Sequence, residues 1–352
     1  MFQQRKTLGL VGIGVTLSCA LVACGASEEV ENSNVQASVN VEGHTQYPIS
    51  IENCGESITI DEAPSRVVSL DQGSTEILLS LGLQDKIVGT ASWTDPILPE
   101  LEQANKNVPR LSDNAPSYEV VLDTDPDFIT ASFGRHFKKE GGVAPRERFE
   151  ETGIPTYLSP TDCDNGESIN AGGTRSSALT PEMIYEEITQ LAEIFDVQSR
   201  GEELIDSFKQ RVEKATKDLP DADGQSVAFW FADTKTPYMA GGQSEPQMLA
   251  NMTGLSNVYA QDKEDWPAVT WEDVADKQPD ILVLGDLERD RFPGDRLKDK
   301  KEFLAKDPLT KNMKAVKEER YIALHGAELN PSIRFVDGLE KIAEYLREHD
   351  QR

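Results

Sequence analysis

The chain contains one short sequence unit twice, and this repeat constrains the fold more than any other feature of the sequence. The stretch SYEVVLDTDPDFIT begins at Ser117, and the stretch TWEDVADKQPDILV begins at Thr270. In both stretches a hydroxyl residue precedes an aromatic residue and a glutamate, and Pro-Asp precedes an apolar run. This spacing predicts a short helix that leads into a buried strand. We therefore expect one such helix–strand unit in each half of the chain.

The sequence around both units alternates short apolar strands with short amphipathic helices. The main predicted strands are residues 66–70, 86–92, 128–131, 226–232, 280–285 and 320–325, and the predicted helices are residues 74–83, 118–124, 245–255 and 336–346. A longer helical region separates the two sets, and its helix at 199–218 would be about 30 Å long. This order predicts an α/β protein of two Rossmann-like lobes with parallel-type central sheets, joined by one long interdomain helix. The predicted amino-terminal lobe is 49–179, the interlobe helices are 180–219, and the carboxyl-terminal lobe is 220–352.

The first residues have the layout of a secretory signal. Arg5 and Lys6 precede an uncharged apolar stretch that ends in LVAC at residues 21–24. This ending resembles the lipobox of bacterial lipoproteins, so we predict a signal peptide at 1–23 and lipid on Cys24. An ordinary signal with an incidental cysteine is the alternative. Residues 24–48 are predicted to form a disordered tether, which places the protein at the extracytoplasmic face of the cell membrane.

Charge and cysteine count restrict the possible partners. The net charge of −27 argues against nucleic acid as a partner. Two cysteines outside the predicted signal and anchor, Cys54 and Cys163, are expected to pair in an oxidising compartment, with two free buried thiols as the alternative. The chain has four histidines and no CxxC motif, so no metal site made of protein side chains is predicted.

Several ordered segments resemble the iron-siderophore/cobalamin class of substrate-binding proteins of ABC importers. They include RVVSLDQGSTEILLSLGLQDKIVGTAS, the two repeated units, ETGIPTYLS, RGEELIDSFKQRV, NMTGLSNVYAQ with DWPAVTWED, and AVKEERYIAL with PSIRFVDGLEKIA. The resemblance runs from about residue 60 to 348. It implies a monomer with a ligand cleft between the lobes and a membrane permease as its partner.

The loop SFGRHFKK, after the predicted strand 128–131, supplies the first ligand candidates. Arg135 leads, with Phe133 and His136 beside it, because ligands of open parallel sheets bind beyond the carboxyl ends of the strands. A guanidinium suits carboxylate, hydroxamate or catecholate oxygens, and a solvated charge cluster is the alternative. Asp71 and Gln72 end the first predicted strand and are expected to line the floor of the cleft.

The resemblance adds further candidates. Trp93, Tyr238 and Trp266 match positions at which aromatic residues touch the ligand in cobalamin-binding relatives, with core packing as the alternative for each. Arg334 matches a position at which an arginine often faces the cleft. Arg175, in the NAGGTRSS loop, is a weaker candidate.

The glutamates of the two repeated units are Glu119 and Glu272. The resemblance implies that one glutamate on each lobe meets an arginine pocket on the permease. The alternative is purely local, because a carboxylate in the first turn of a helix stabilises it by roughly 0.3–1 kcal/mol.

These features favour a protein that captures a ferric siderophore, the metal arriving already chelated, with no cofactor other than lipid on Cys24. A corrinoid, haem or another large anionic cofactor is the alternative cargo. A secreted enzyme is less favoured, because the sequence contains no GxSxG, P-loop or HExxH motif. A purely structural lipoprotein leaves the paired glutamates unexplained.

Overall fold

The computed structural model describes residues 45–220, 222, 224–289 and 291–349. The predicted signal peptide, Cys24 and most of the predicted tether lie outside these residues. The end of the predicted tether differs from expectation. Thr45 donates its backbone N–H to Asp196 Oδ1 (2.8 Å), and Tyr47 donates its hydroxyl to Ile194 O (2.7 Å). Residues 45–48 are therefore bound to the end of a helix instead of forming part of a disordered tether.

A hairpin precedes the first lobe. Its strands are β1 (Ile49–Asn53) and β2 (Glu56–Ile60), which pair antiparallel. Asn53 clamps the hairpin to the lobe, since its side chain donates to Leu158 O and accepts from Leu158 N, both at 2.8 Å. A disulfide joins Cys54, in the hairpin turn, to Cys163, with their Cα atoms 5.5 Å apart.

The amino-terminal lobe is built on a five-stranded parallel sheet with the strand order β5-β4-β3-β6-β7. Its strands are β3 (Val67–Ser69), β4 (Ile87–Ala91), β5 (Arg110–Ser112), β6 (Phe128–Ala131) and β7 (Thr156–Leu158). Its helices are α1 (Gln72–Ser80), α2 (Glu102–Asn105), α3 (Tyr118–Leu122) and α4 (Arg146–Glu150). The predicted alternation is confirmed, although β5 and α2 were not predicted, and α1 begins two residues before its predicted start.

The link between the lobes consists of a small hairpin and two helices. These are β8 (Cys163–Asp164), β9 (Glu167–Ser168), α5 (Pro181–Ile194) and α6 (Gln198–Thr216). Near the start of α6, Arg200 Nη1 donates to Leu81 O (2.9 Å) of the first lobe. Farther along, Arg211 forms ion pairs with Asp337 (2.6 Å) and Glu340 (2.7 Å) of the second lobe. α6 is therefore the long interlobe helix that the sequence predicts.

The carboxyl-terminal lobe has a second five-stranded sheet, in which β12 and β11 both pair with β10, followed by β13 and β14. Its strands are β10 (Ser226–Ala232), β11 (Tyr238–Met239), β12 (Ser256–Asn257), β13 (Ile281–Asp286) and β14 (Tyr321–His325). Its helices are α7 (Glu245–Thr253), α8 (Trp271–Lys277), α9 (Leu297–Lys306), α10 (Lys314–Lys317) and α11 (Phe335–His349). The sheet is parallel except for β11, which runs antiparallel to β10.

The central strands contain uninterrupted apolar runs because other elements pack against both faces of each sheet. Val67 packs with the side of the core that contains α1 and α5, whereas its neighbour Val68 packs against α3 and α4. Phe229 and Trp230 divide between two core clusters in the same way. Parallel strands that are buried on both faces need no polar alternation.

The repeated unit begins each time with a capped helix. Ser117 Oγ accepts the backbone N–H of Val120 (3.3 Å) at the start of α3. Thr270 Oγ1 accepts the backbone N–H of Asp273 (3.2 Å) at the start of α8. The hydroxyl residue that opens each unit is therefore a helix N-cap.

The aspartate of the Pro-Asp pair in each unit links two central strands by a hydrogen bond. Asp127 Oδ1 accepts the backbone N–H of Arg66 (2.9 Å), just before β3. Asp280 Oδ2 accepts the backbone N–H of Ser226 (3.0 Å), the first residue of β10. The repeat therefore fixes the same pair of neighbouring strands in both lobes.

The strand order places a ligand site at the carboxyl ends of these pairs. In the first sheet the chain continues from β3 toward one edge of the sheet and from β6 toward the other edge. In the second sheet β10 and β13 are the corresponding pair. Such points are where open α/β sheets bind ligands. The predicted fold class is confirmed. No helix in the described ranges is long and apolar enough to span a membrane.

Candidate ligand site

A cavity of about 570 Å³ lies between the lobes, at the carboxyl ends of both sheets. This volume falls in the usual range for small-molecule sites. From the first lobe, the predicted residues Asp71, Gln72, Phe133 and Arg135 line it. From the second lobe, the predicted residue Trp266 lines it. The structure thus brings five of the nine predicted ligand-binding residues to one cavity.

Asp71 organises the first-lobe wall. It is 1% exposed, and its Oδ2 accepts the backbone N–H groups of Ser132 (3.0 Å) and Phe133 (3.1 Å). Its Oδ1 accepts from Arg135 Nη2 (2.7 Å) and lies 3.0 Å from His136 Nε2. One carboxylate at the end of β3 therefore holds the loop after β6 and orients its arginine.

Arg135 is held in a position suited to an anion. Its guanidinium carbon lies 4.7 Å from the centroid of the Phe133 ring, and its side chain is 43% exposed. Asp71 engages Nη2, so the rest of the guanidinium fork is available to a ligand. Gln72 supports the same wall, because its Oε1 accepts the backbone N–H of Thr94 (3.1 Å).

The second lobe presents a matching arginine that the sequence analysis missed. Arg289, in the loop after β13, lines the cavity, and its guanidinium carbon lies 5.2 Å from the Phe231 ring centroid. Its Nε lies 3.3 Å from Oδ2 of Asp295, which is fully buried. The same rule that selected Arg135, namely a cationic residue just beyond a central strand, identifies Arg289 when it is applied to β13.

A cross-lobe ion pair borders the cavity. Arg175 is 3% exposed, and its Nε and Nη2 lie 3.2 and 3.0 Å from the two oxygens of Asp265. Its Nη2 also donates to Thr161 O (2.9 Å). The weaker candidate of the sequence analysis is thus a cavity residue, whose fork is largely occupied by Asp265.

Glu245, at the start of α7, is a buried carboxyl group at the cavity wall. It is 1% exposed, and neither side-chain oxygen has a hydrogen-bond partner within the described residues. Burial raises the pKa of Glu245 well above its usual value, because a carboxylate without water or a counter-ion is less stable than the neutral acid.

Three predicted ligand residues lie elsewhere. His136 is 1% exposed and sits behind Asp71, so it supports the wall without lining the cavity. Trp93 is 7% exposed and borders a neighbouring recess instead. Tyr238 lies on β11, is 40% exposed and does not line the cavity. Tyr238 pairs with Ala232, the last residue of β10, so it lies near the carboxyl end of that strand but outside the cavity lining.

Arg334 also differs from its predicted place at the cleft surface. It is 4% exposed and does not line the cavity. Its guanidinium group forms a bidentate ion pair with Glu76 of α1. Nε lies 2.8 Å from Oε2, and Nη2 donates a hydrogen bond to Oε1. Because α1 belongs to the first lobe, Arg334 ties the lobes together beneath the cavity.

Glu119 and Glu272 occupy equivalent places on the two lobes. Both lie in the first turn of a short helix, α3 or α8, and both are exposed. Hydrogen bonds from its own backbone N–H and from Ser117 lower the pKa of Glu119, so it is ionised at neutral pH. The partner of these carboxylates remains a prediction.

Glu187, on α5, lies behind the cavity floor. It is 2% exposed, and its Oε2 accepts the hydroxyl of Ser159 (2.5 Å) while Oε1 has no partner in the part of the chain that is described. Burial raises the pKa of Glu187 to about 7 against the opposing hydrogen bond from Ser159, and the charge of Asp71 adds to the rise.

Glu187→Gln should remove a pH dependence of stability. Since the folded-state pKa lies above the unfolded value of 4.5, the group contributes stability below pH 4.5 that is lost as the pH rises through 7. The free energy of unfolding of the variant, relative to wild type, should therefore rise by about 3 kcal/mol between pH 4.5 and pH 8. Urea denaturation at both pH values measures this, with the exposed neighbour Glu186→Gln as control. A difference that does not change with pH would contradict the assignment.

Within the described residues, no group of three or more His, Cys, Asp or Glu side chains is arranged to hold a metal ion. The polar lining consists of arginines and Lys263, of carboxylates that mostly bind arginines or backbone groups, and of hydroxyl and amide groups. Such a set suits a large polar molecule with acceptor oxygens.

Comparison with known proteins gives a consistent group of relatives. The periplasmic binding protein family matches residues 67–327. An uncharacterized ABC transporter substrate-binding lipoprotein of Bacillus subtilis is 22% identical over 80% of this chain and 82% of its own length. A vitamin B12-binding protein of Yersinia pestis is 23% identical over 63% of this chain and 70% of its own length.

Solved structures share the same architecture. A periplasmic binding protein from Veillonella parvula superposes with a TM-score of 0.72, at 26% identity, over 85% of this chain and 97% of its own. A protein of an ABC-type Fe³⁺-hydroxamate transport system from Saccharomonospora viridis superposes with a TM-score of 0.68, at 28% identity, over 85% and 99%. Both superpositions extend across the two lobes and the helix between them.

Proposed function

Because the chain belongs to the periplasmic binding protein family and is a substrate-binding protein of the ABC-transporter type, we propose that it captures chelated iron as a ferric siderophore and delivers it to an importer. The observation that carries this proposal is the pair of arginines that face the cavity from opposite lobes. Arg135 and Arg289 are each held by a buried aspartate and each stacked on a phenylalanine ring. Two such forks match the oxygen-rich, anionic surface of a ferric chelate.

The remaining parts of the proposal concern the membrane. Lipid on Cys24 tethers the protein at the extracytoplasmic face, in keeping with the lipoprotein relative from Bacillus subtilis. The exposed carboxylates of Glu119 and Glu272 dock a permease, one on each lobe. The cargo sits between them, so docking and release are coupled through the same two lobes.

Tryptophan fluorescence tests the cargo. Trp266 lines the cavity with its ring 4.8 Å from that of Phe231, so a bound chromophore quenches it. A panel of a ferric trihydroxamate, a ferric tricatecholate, ferric citrate, haem and cyanocobalamin should give saturable quenching by at least one ferric chelate, with a Kd of roughly 1 μM or tighter. Arg135→Gln combined with Arg289→Gln should weaken that binding at least about tenfold.

Calorimetry on the same panel separates binding from optical artefacts, and Lys106→Gln, an exposed lysine outside the cavity, controls for loss of charge. Binding of haem or cobalamin alone would transfer the proposal to the alternative cargo, which the vitamin B12-binding relative from Yersinia pestis supports. Binding of no member of the panel would contradict both.

A further inference from the structure

A second recess lies beside the ligand cavity, also between the lobes. Its volume is about 560 Å³, and it shares Thr94 and Arg289 with the cavity. Trp93 and Arg110 line it from the first lobe, and Arg291 lines it from the second. Arg289 therefore stands between two spaces, with the main cavity on one side and this recess on the other.

The carboxylates of the recess are already engaged. Asp113 is bound by Arg110 (2.9 Å), and Glu288 is bound by Arg296 (3.0 Å). Asp95 is fully buried and accepts a backbone N–H of the second lobe at 2.7 Å. Each of these three groups therefore already has a partner, and Asp113 also stabilises the charge of a further cation.

Arg291 is that further cation. Its Nη1 and Nη2 donate across the lobe boundary to two neutral acceptors, Asn114 Oδ1 (3.2 Å) and Asp113 O (3.1 Å), and in the described part of the chain it forms no ion pair with a carboxylate. Partial burial and the charges of Arg289 and Arg135 lower the pKa of Arg291, against the opposing charges of Asp295 and Asp113. Mutually repelling guanidinium groups at the wall of a cleft, in a protein of net charge −27, indicate an anion that binds between them.

We propose that the recess is an accessory subsite for a carboxylate at the periphery of the cargo, one that takes no part in chelating the iron. A carboxylate matches the planar fork of Arg291 and can also be reached by Arg289. The ring of Trp93, whose centroid lies 5.2 Å from the guanidinium carbon of Arg110, gives the recess an apolar side. This inference rests on the proposed function for the identity of the cargo, but the recess itself can be tested without iron.

The first experiment uses a matched pair of probes, a ferric trihydroxamate made with and without one terminal carboxylate. Wild type should bind the carboxylate form about tenfold more tightly, the effect of one charged hydrogen-bonded pair. In Arg291→Gln the ratio of the two Kd values should fall to about one, and Arg110→Gln should reduce it as well. Lys311→Gln, an exposed lysine away from the recess, should keep the wild-type ratio. A ratio near one in wild type, or an unchanged ratio in Arg291→Gln, overturns the subsite.

The second experiment uses metal-free tricarballylate, a small tricarboxylate, at constant ionic strength. It should raise the Tm of wild type and of Lys311→Gln, and it should have little effect on Arg291→Gln. No rise in wild type, or an equal rise in Arg291→Gln, overturns the subsite whatever the chelates do. A rise that depends on Arg291, together with no binding of any chelate, retains the subsite and contradicts the proposed iron cargo.

Discussion

Replacing Arg334 with methionine should lower the free energy of unfolding by about 3–5 kcal/mol, as expected when one partner of a buried ion pair is removed. Glu76 is fully buried, and without Arg334 its carboxylate keeps only Gln72 Nε2, at 3.1 Å, as a side-chain donor. The carbonyl of Pro96, which accepts from Arg334 Nη2 at 2.6 Å, also loses its partner. Urea-induced unfolding at pH 7 measures the loss.

The double variant Glu76→Leu with Arg334→Met distinguishes an uncompensated charge from lost packing. It replaces the pair with apolar side chains of similar volume, so it should recover most of the stability that Arg334→Met loses. A double variant as unstable as the sum of the two single variants would contradict this explanation. So would a cost below about 1 kcal/mol for Arg334→Met, which is the value of an exposed pair.

Reversing the charge of both repeated glutamates, Glu119→Arg with Glu272→Arg, should abolish import while leaving the affinity for cargo unchanged. Both side chains are exposed on short helices, and neither lines the ligand cavity. Truncating one partner of a charge pair at an interface costs about 2–5 kcal/mol, so two reversals should lower uptake more than about a hundredfold. Uptake of labelled cargo by cells that carry the importer measures the first effect, and fluorescence titration measures the second.

The repeat itself provides the matched control. Asp123→Arg with Asp276→Arg changes the net charge by the same amount, at exposed positions of the same two units. This control should lose less uptake than the glutamate variant, because it leaves both glutamates available to the permease although each aspartate lies one helical turn from a glutamate on the same helix face. Normal import by the glutamate variant, or equal loss in both variants, would contradict docking through Glu119 and Glu272.

The fold was accessible from the sequence because its signals are local. Each β-α step carries its own apolar run and helix start, and the repeated unit marks the same step in both lobes. The hairpin β8–β9 and the short strand β5 gave no such signal, since each has only two or three residues and depends on its neighbours for pairing. The early start of α1 was missed because Asp71, its N-cap, directs its carboxylate to the loop after β6 and not to its own helix.

The cavity was predictable where position along a strand determined it, as for Asp71 and Arg135. It was not predictable where a distant partner determined the direction of a side chain. Arg334 was predicted as a ligand residue, but its guanidinium group is bound by Glu76, which lies on a helix of the other lobe. His136 likewise turns inward because Asp71 Oδ1 accepts a hydrogen bond from its ring nitrogen Nε2. Contacts between residues so far apart in sequence leave no periodicity for a single chain to reveal.

The two walls of the cavity belong to different lobes, and this has a consequence for how such proteins diverge. The distance between the guanidinium groups of Arg135 and Arg289 is set by α6 and by the ion pairs that act as ties between the lobes, such as Arg334 with Glu76 and Arg175 with Asp265. A substitution in the interlobe helix or in a tie alters that distance and leaves every lining residue in place. Selectivity for cargo diameter can therefore evolve through positions that an inspection of the cavity alone would overlook.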